Sequence, residues 1–211
     1  MEQERNRRDR WLSTGEEERL LQAARPWLKD IVLFALHTGM RMGEIRELTW
    51  NGVDLFREMV TVFRSKNGER RTIPINSVVL DVLKRKAKVR SIKSDYVFPS
   101  DTSTLLDDSH LRRAFRGVLK LCRIENFHFH DLRHTFATRL VQSGIDLYKV
   151  QCLLGHKSPI MTQRYAHHYP ESLREGVEML EKYRLVSTGG TNLAHMTQTA
   201  GLALASTDVS S

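Results

Sequence analysis

Apolar positions along the chain recur at helical spacing, then at strand spacing, then at helical spacing again. Thr14 and Glu17 have the spacing of a capping box, with Ser13 and Glu16 as the alternative pair, and a helix is expected from there to about residue 24. Pro26 suits the first turn of a second helix, where its missing N–H costs nothing. That helix carries the apolar run 31–36 and is expected to stop at Gly39. In MRMGEIRELTW, residues 40–50, Arg41, Glu44 and Leu48 share one helical face. The period then changes to two. MVTVF at 59–63 and ERRTIPI at 69–75 read as strands joined by the turn SKNG, whose Asn-Gly is a hairpin signal, and 53–56 adds a short third strand. Helices are expected at 76–90 and 107–121, around a loop with Val97 and Phe98 as an apolar plug. In a helix over 129–142, Phe129, Leu132, Phe136 and Leu140 form a core stripe with His130 and Arg133 at its edge. A stop at Gly144, a helix at 146–154, a turn at Gly155-His156 and one or two helical turns at 161–166 carrying Tyr165 follow. Residues 171–185 read as an amphipathic helix. The predicted class is mainly α with a small antiparallel β-sheet, an α+β fold.

A length of 211 residues suits one domain with appendages. We expect a linker or frayed start at 1–10, one domain at 11–186 and a flexible, low-complexity tail at 187–211. The net charge of +8 points to a polyanionic partner, nucleic acid before an acidic membrane surface, or to simple solubility. The two cysteines, Cys122 and Cys152, lie in apolar helical patterns, so a reducing, cytoplasmic compartment is expected and a disulfide framework is not. MEQERNRRDRW has no signal-peptide character, and the 31–36 run is too short to cross a bilayer, so no membrane role is expected.

Several residues carry candidate chemistry. His130 and Arg133 are followed by His156 and then Tyr165. An Arg at the border of a core is seldom buried unpaired, so Arg133 is either in a structural ion pair or placed for an anionic ligand. Arg41 and Glu44 read locally as a surface pair, or as a cation aimed by a carboxylate. Lys66, at the hairpin tip, reads locally as a solubility residue. His134 and His130 have a spacing compatible with zinc, but no acidic or Cys ligand set accompanies them, and no metal is expected. His167 and His168 are expected to cap the short helix or face solvent. The basic face at 84–90 is either solvated or against DNA backbone.

Four segments then share an order and spacing: TGMRMGEIREL at 38–48, SKNGERRTIPI at 65–75, HDLRHTFAT at 130–138 and LLGHKSPIMTQRYAH at 153–167. Together they resemble the tyrosine recombinase, or phage integrase, family over about residues 11–185. The resemblance implies that family's catalytic-domain fold and a site-specific DNA recombinase or integrase working through a 3′-phosphotyrosyl intermediate. It implies Arg41 and Arg133 as the arginine pair that binds the scissile phosphate, His130 as the candidate base near Tyr165, His156 as a hydrogen-bond donor to a phosphate oxygen, Lys66 as the hairpin lysine and general acid for the 5′-oxygen, Tyr165 as the nucleophile and Glu44 as support for the first Arg. It also implies double-stranded DNA as partner, a monomer when free, a homotetramer on DNA, and no cofactor, metal or ATP. The segment 171–185 is the candidate for exchange between protomers. Family members usually carry an N-terminal DNA-clamp domain, which this chain is expected to lack. Weak type IB-like DNA relaxation uses the same half-reaction and is an alternative. A non-catalytic DNA-binding module has no use for Tyr165, and a metal-dependent nuclease wants clustered carboxylates.

Overall fold

The second helix, α2 (Pro26–Thr38), is apolar on nearly every side, and the fold is built around it. Leu28, Ile31, Val32, Phe34, Ala35 and Leu36 are all buried, while α4 (Ser77–Lys88) and α6 (Phe129–Gln142) pack on it. This computed structural model describes residues 10–63, 70–168, 174 and 177–180. The chain divides into two units, 1–168 and 169–211. In the second, Arg174 and 177–180 are helical and exposed, and the rest of the expected helix at 171–185 and the tail at 187–211 lie outside the described residues.

The first unit also holds α1 (Thr14–Ala23), α3 (Met42–Arg46), α5 (Asp108–Leu121), α7 (Leu147–Leu154) and α8 (Ile160–Gln163). The capping box of α1 is the Ser13–Glu16 pair, not Thr14–Glu17. Glu16 is also the residue that Arg10 bonds, which fixes the earlier frame and pulls its carboxyl down to about 2. At the other end of α2, Gly39 takes the left-handed conformation at φ 63° and stops the helix as predicted.

The strands β1 (Val53–Asp54), β2 (Met59–Val62) and β3 (Arg71–Pro74) form an antiparallel sheet in sequence order. The register pairs Val60 with Ile73 and Val62 with Arg71. Val60, Val62 and Ile73 are buried on one face, and Thr61 and Thr72 share a hydroxyl hydrogen bond on the other at 3.1 Å. Alternation therefore places Arg71 on the core face. The turn carrying Lys66 lies outside the described residues. The expected plug is present: Val97 donates its N–H to Leu48 O at 2.9 Å, and Val97 and Phe98 are buried.

The predicted single stripe on α6 needs correction. Phe129 and Leu132 are buried as expected, but Phe136 and Leu140 are only half-buried, while Arg133, Thr135, Ala137, Thr138 and Val141 are fully buried. The helix is covered from more than one side. Both α2 and α7 pack on it, and Leu12 donates its N–H to Thr135 Oγ1 at 2.9 Å. Among the described residues, no helix is long and apolar enough to cross a membrane.

Candidate active site

Arg133 is 2% exposed, inside the core and not at its edge. Among the described residues it has no carboxylate partner; it donates from Nη1 to Gly39 O and from Nη2 to Leu154 O, each at 2.7 Å. Both acceptors are carbonyls at helix C-termini, where the backbone carries unsatisfied acceptors and a partial negative charge. Gly39 allows this approach. A Cβ there would sit 2.4 Å from the Phe136 ring on α6, so only glycine lets α6 come close enough for Arg133 to reach that carbonyl. Burial, and then the neighbouring Arg41, pull Arg133 down to about 9, which leaves it a cation at neutral pH.

Arg41 sits at the N-cap of α3. Its backbone N–H donates to Glu44 Oε2 at 2.8 Å, and its Nη1 to Oε1 at 3.0 Å. Glu44 is 6% exposed, so this is no surface pair. Its second partner is Arg71, which donates Nη1 to Oε1 at 2.9 Å and Nη2 to Oε2 at 2.7 Å. Burial raises the Glu44 carboxyl, but Arg71 and Arg41 outweigh that and hold it below its ordinary value. Arg71 Nε also donates to Leu153 O at 3.3 Å, and a Cβ on Gly155, at φ 65°, would lie 2.7 Å from Arg71 Cδ. The last turn of α7 thus accepts from both Arg71 and Arg133. Sequence reasoning missed Arg71; the available signal was its parity with Ile73 in β3 and with Ile75 just after it.

His156 follows that turn. Its Nδ1 meets the hydroxyl of buried Thr162, on α8, at 2.9 Å. Burial, then Arg133 and Arg41, lower His156 to about 4, so its ring is neutral at neutral pH. Tyr165, 3% exposed, comes just after α8. Its hydroxyl lies 2.6 Å from Nδ1 of His134, while His130 packs edge-on against His134 with ring centroids 4.9 Å apart. Helical spacing did not show which of two histidines one turn apart reaches the tyrosine. Desolvation lowers both rings, His134 to about 3 with His130 and Arg164 adding to it.

Arg41, Arg133, His130, His156 and Tyr165 all line one cavity of about 370 Å³, together with His134 and Arg164. Arg164 was not singled out from the sequence; its guanidinium is 5.8 Å from the Tyr165 ring centroid. No described carboxylate lines the cavity. Lys66 lies outside the described residues. No cluster of three or more metal-binding side chains occurs among the described residues. The arrangement sets two guanidinium groups, each held by its own hydrogen bonds, and a phenol around one cavity, a set of groups suited to an anion.

Residues 10–172 match the model of the phage integrase family. The integrase of Salmonella phage P22 is 33% identical over 205 residues, covering 92% of this chain and 52% of that protein. The chain thus spans about half the length of this curated relative. The structure of XerA recombinase aligns with a TM-score of 0.67 at 33% identity, over 82% of this chain and 65% of that one. The catalytic domain of bacteriophage HP1 integrase aligns with a TM-score of 0.62 at 28% identity, over 80% of this chain and 93% of that one. The chain belongs to the phage integrase family and has the catalytic-domain fold of the tyrosine recombinases.

Proposed function

We propose that this chain is the catalytic domain of a site-specific DNA recombinase or integrase that cuts and rejoins DNA through a 3′-phosphotyrosyl intermediate, without metal or ATP. The observation that carries this reading is Tyr165 lining the same cavity as Arg41 and Arg133, both cationic side chains held from behind. A DNA phosphodiester is anionic, and attack at phosphorus builds further charge on its non-bridging oxygens. Two guanidinium forks hold those oxygens and tighten as the charge develops. Glu44 aims Arg41, and the carbonyls of Gly39 and Leu154 aim Arg133.

Tyr165 attacks phosphorus and the 5′-oxygen leaves. A protonated phenol, with a reference pKa of about 10, is a poor nucleophile and has to lose its proton. The histidine one turn before Arg133, His130, stands beside the imidazole that touches the phenol and shapes its surroundings. His156 Nδ1 meets the Thr162 hydroxyl; with that hydroxyl as the donor, the ring proton sits on Nε2 and is offered to a phosphate oxygen. Lys66 is assigned the general-acid role toward the leaving 5′-oxygen on the family pattern. The phosphotyrosyl link conserves the energy of the broken bond, so a 5′-hydroxyl reseals it. Double-stranded DNA as partner is supported by the net charge of +8 and by this cavity. A monomer when free and a homotetramer on DNA complete the proposal.

The test is incubation with supercoiled plasmid DNA in EDTA, followed by a denaturing gel. A covalent protein–DNA adduct mapping to Tyr165 and absent from Tyr165→Phe is expected. DNA binding with no adduct from the unaltered chain, alone or fused to a relative's clamp domain, would leave a non-catalytic binding module. Cleavage that needs a divalent metal would point to a nuclease.

A further inference from the structure

The Tyr165 hydroxyl lies 2.6 Å from Nδ1 of His134, which is neither of the two histidines that the family pattern assigns to the site. We propose that His134 is a further catalytic residue: its Nδ1 holds the Tyr165 hydroxyl and takes its proton as the phenol attacks. This rests on the recombinase reading above and deepens it.

The geometry comes first. Nδ1 and Oη are 2.6 Å apart, so no water fits between donor and acceptor. His134 is on α6, one residue after Arg133, so the helix that fixes the buried guanidinium also fixes this imidazole. The edge-on His130 ring limits its rotation.

The step balances. The Tyr165 Oη–P bond forms and the P–O5′ bond breaks. The phenol proton moves to His134 Nδ1, and the 5′-oxygen takes a proton from the general acid. The ring becomes an imidazolium, and on resealing it returns that proton to the departing tyrosine.

Charge explains why the proton does not move in the empty site. His134 is faced by His130 and Arg133 from α6, by His156 after α7 and by Arg164 and Tyr165 at the end of α8. Burial, with the guanidinium groups of Arg133 and Arg164, keeps the ring neutral, so without an anion it is a weak base. A phosphodiester in the cavity brings negative charge to Arg41 and Arg133 and favours the imidazolium. Proton transfer is thereby tied to occupancy by DNA backbone.

The experiment separates holding from proton transfer. Asn places an acceptor oxygen near the position of Nδ1 but cannot take a proton at neutral pH; Ala does neither. Adduct formation on supercoiled plasmid DNA in EDTA is followed from pH 6 to 9 for the unaltered chain, His134→Asn and His134→Ala. Both variants are expected to be slower at pH 7 by about 10²–10⁴-fold, the usual worth of a general base, with rates that climb as pH rises. An Asn variant near the unaltered rate, or variants whose pH profiles match the unaltered chain, would overturn proton transfer. In parallel, protein carrying 3-fluorotyrosine is examined by fluorine NMR without DNA, with the residue 165 signal identified by its loss in Tyr165→Phe. That signal is expected to shift in His134→Ala; no shift would overturn the contact whatever the activity. A shift with no adduct from the unaltered chain would overturn the recombinase reading, and the catalytic role with it, while leaving the contact established.

Discussion

Arg71 and Glu44 form a two-pronged ion pair, Nη1 to Oε1 at 2.9 Å and Nη2 to Oε2 at 2.7 Å, with side chains only 10% and 4% exposed. A strand of the sheet is thereby tied to the carboxylate that aims Arg41. Removing one partner of such a buried pair costs about 3–5 kcal/mol, because the other charge stays behind without water. Arg71→Ala is expected to fall near the lower end, since Arg41 still neutralises Glu44 in part. Arg71→Lys keeps the charge but not the planar fork, and should recover only part of the loss. Urea denaturation of the two variants measures both.

Gly39 is where a methyl group should be most disruptive. A left-handed non-glycine backbone costs roughly 1–2 kcal/mol, and at Gly39 the Phe136 ring stands 2.4 Å from the added Cβ. Gly39→Ala is therefore expected to lose more than that amount and to weaken phosphate binding by pushing α6 back. Gly43, in α3, has nothing within 4 Å of an added Cβ. Gly43→Ala is expected to gain about 0.5–1 kcal/mol from helix propensity. Thermal melts of the two proteins should move in opposite directions.

Acid should weaken the DNA-free protein in two stages. Burial lowers His130, His134 and His156 below the ordinary value of 6.5, to about 3 for His134 and about 4 for His156. Between those values and 6.5 the unfolded chain binds more protons, so stability rises with pH in that window and is lost as pH falls below 6.5. Glu16 and Glu44 are lowered instead from 4.5; their contribution is present above 4.5 and is lost as pH falls through that region. Denaturant titrations at pH 7, 6, 5 and 4 should show stability falling from the first step and more steeply in the last. A polyanion that occupies the cavity should flatten the first stage.

Thr162→Val removes the hydroxyl that meets His156 Nδ1 while keeping the shape of a side chain 1% exposed. The stability cost should be about 0.5–1.5 kcal/mol, one ordinary hydrogen bond. The effect on adduct formation should be larger than on folding, because the His156 ring then has no fixed tautomer or orientation. Comparing adduct rates with melts for this variant checks the difference.

Much of the fold was legible because its signals are local. Pro26 and Gly39 mark the ends of α2 through backbone geometry alone, and alternation in β2 and β3 marks the hairpin. The core face of α6 was less legible, because Arg133, Thr135 and Thr138 are buried by polar contacts that an apolar stripe does not register. Arg41, Glu44, Arg133, His130, His156 and Tyr165 stood out through the spacing of four segments taken together. Arg71 and His134 did not. Each meets a partner far along the chain, Glu44 in one case and Tyr165 in the other, and only the folded arrangement supplies those partners.

The two carbonyls that hold Arg133 have a consequence for ligand entry. A guanidinium paired with a carboxylate keeps its charge but is partly neutralised, and an incoming anion has to share it with that counterion. Arg133 is fastened instead to neutral dipoles, at Gly39 and Leu154. They fix its direction and replace its lost water while leaving its unit charge intact. An anion approaching Arg133 would therefore meet a cation that, among the described residues, is not already paired with a carboxylate.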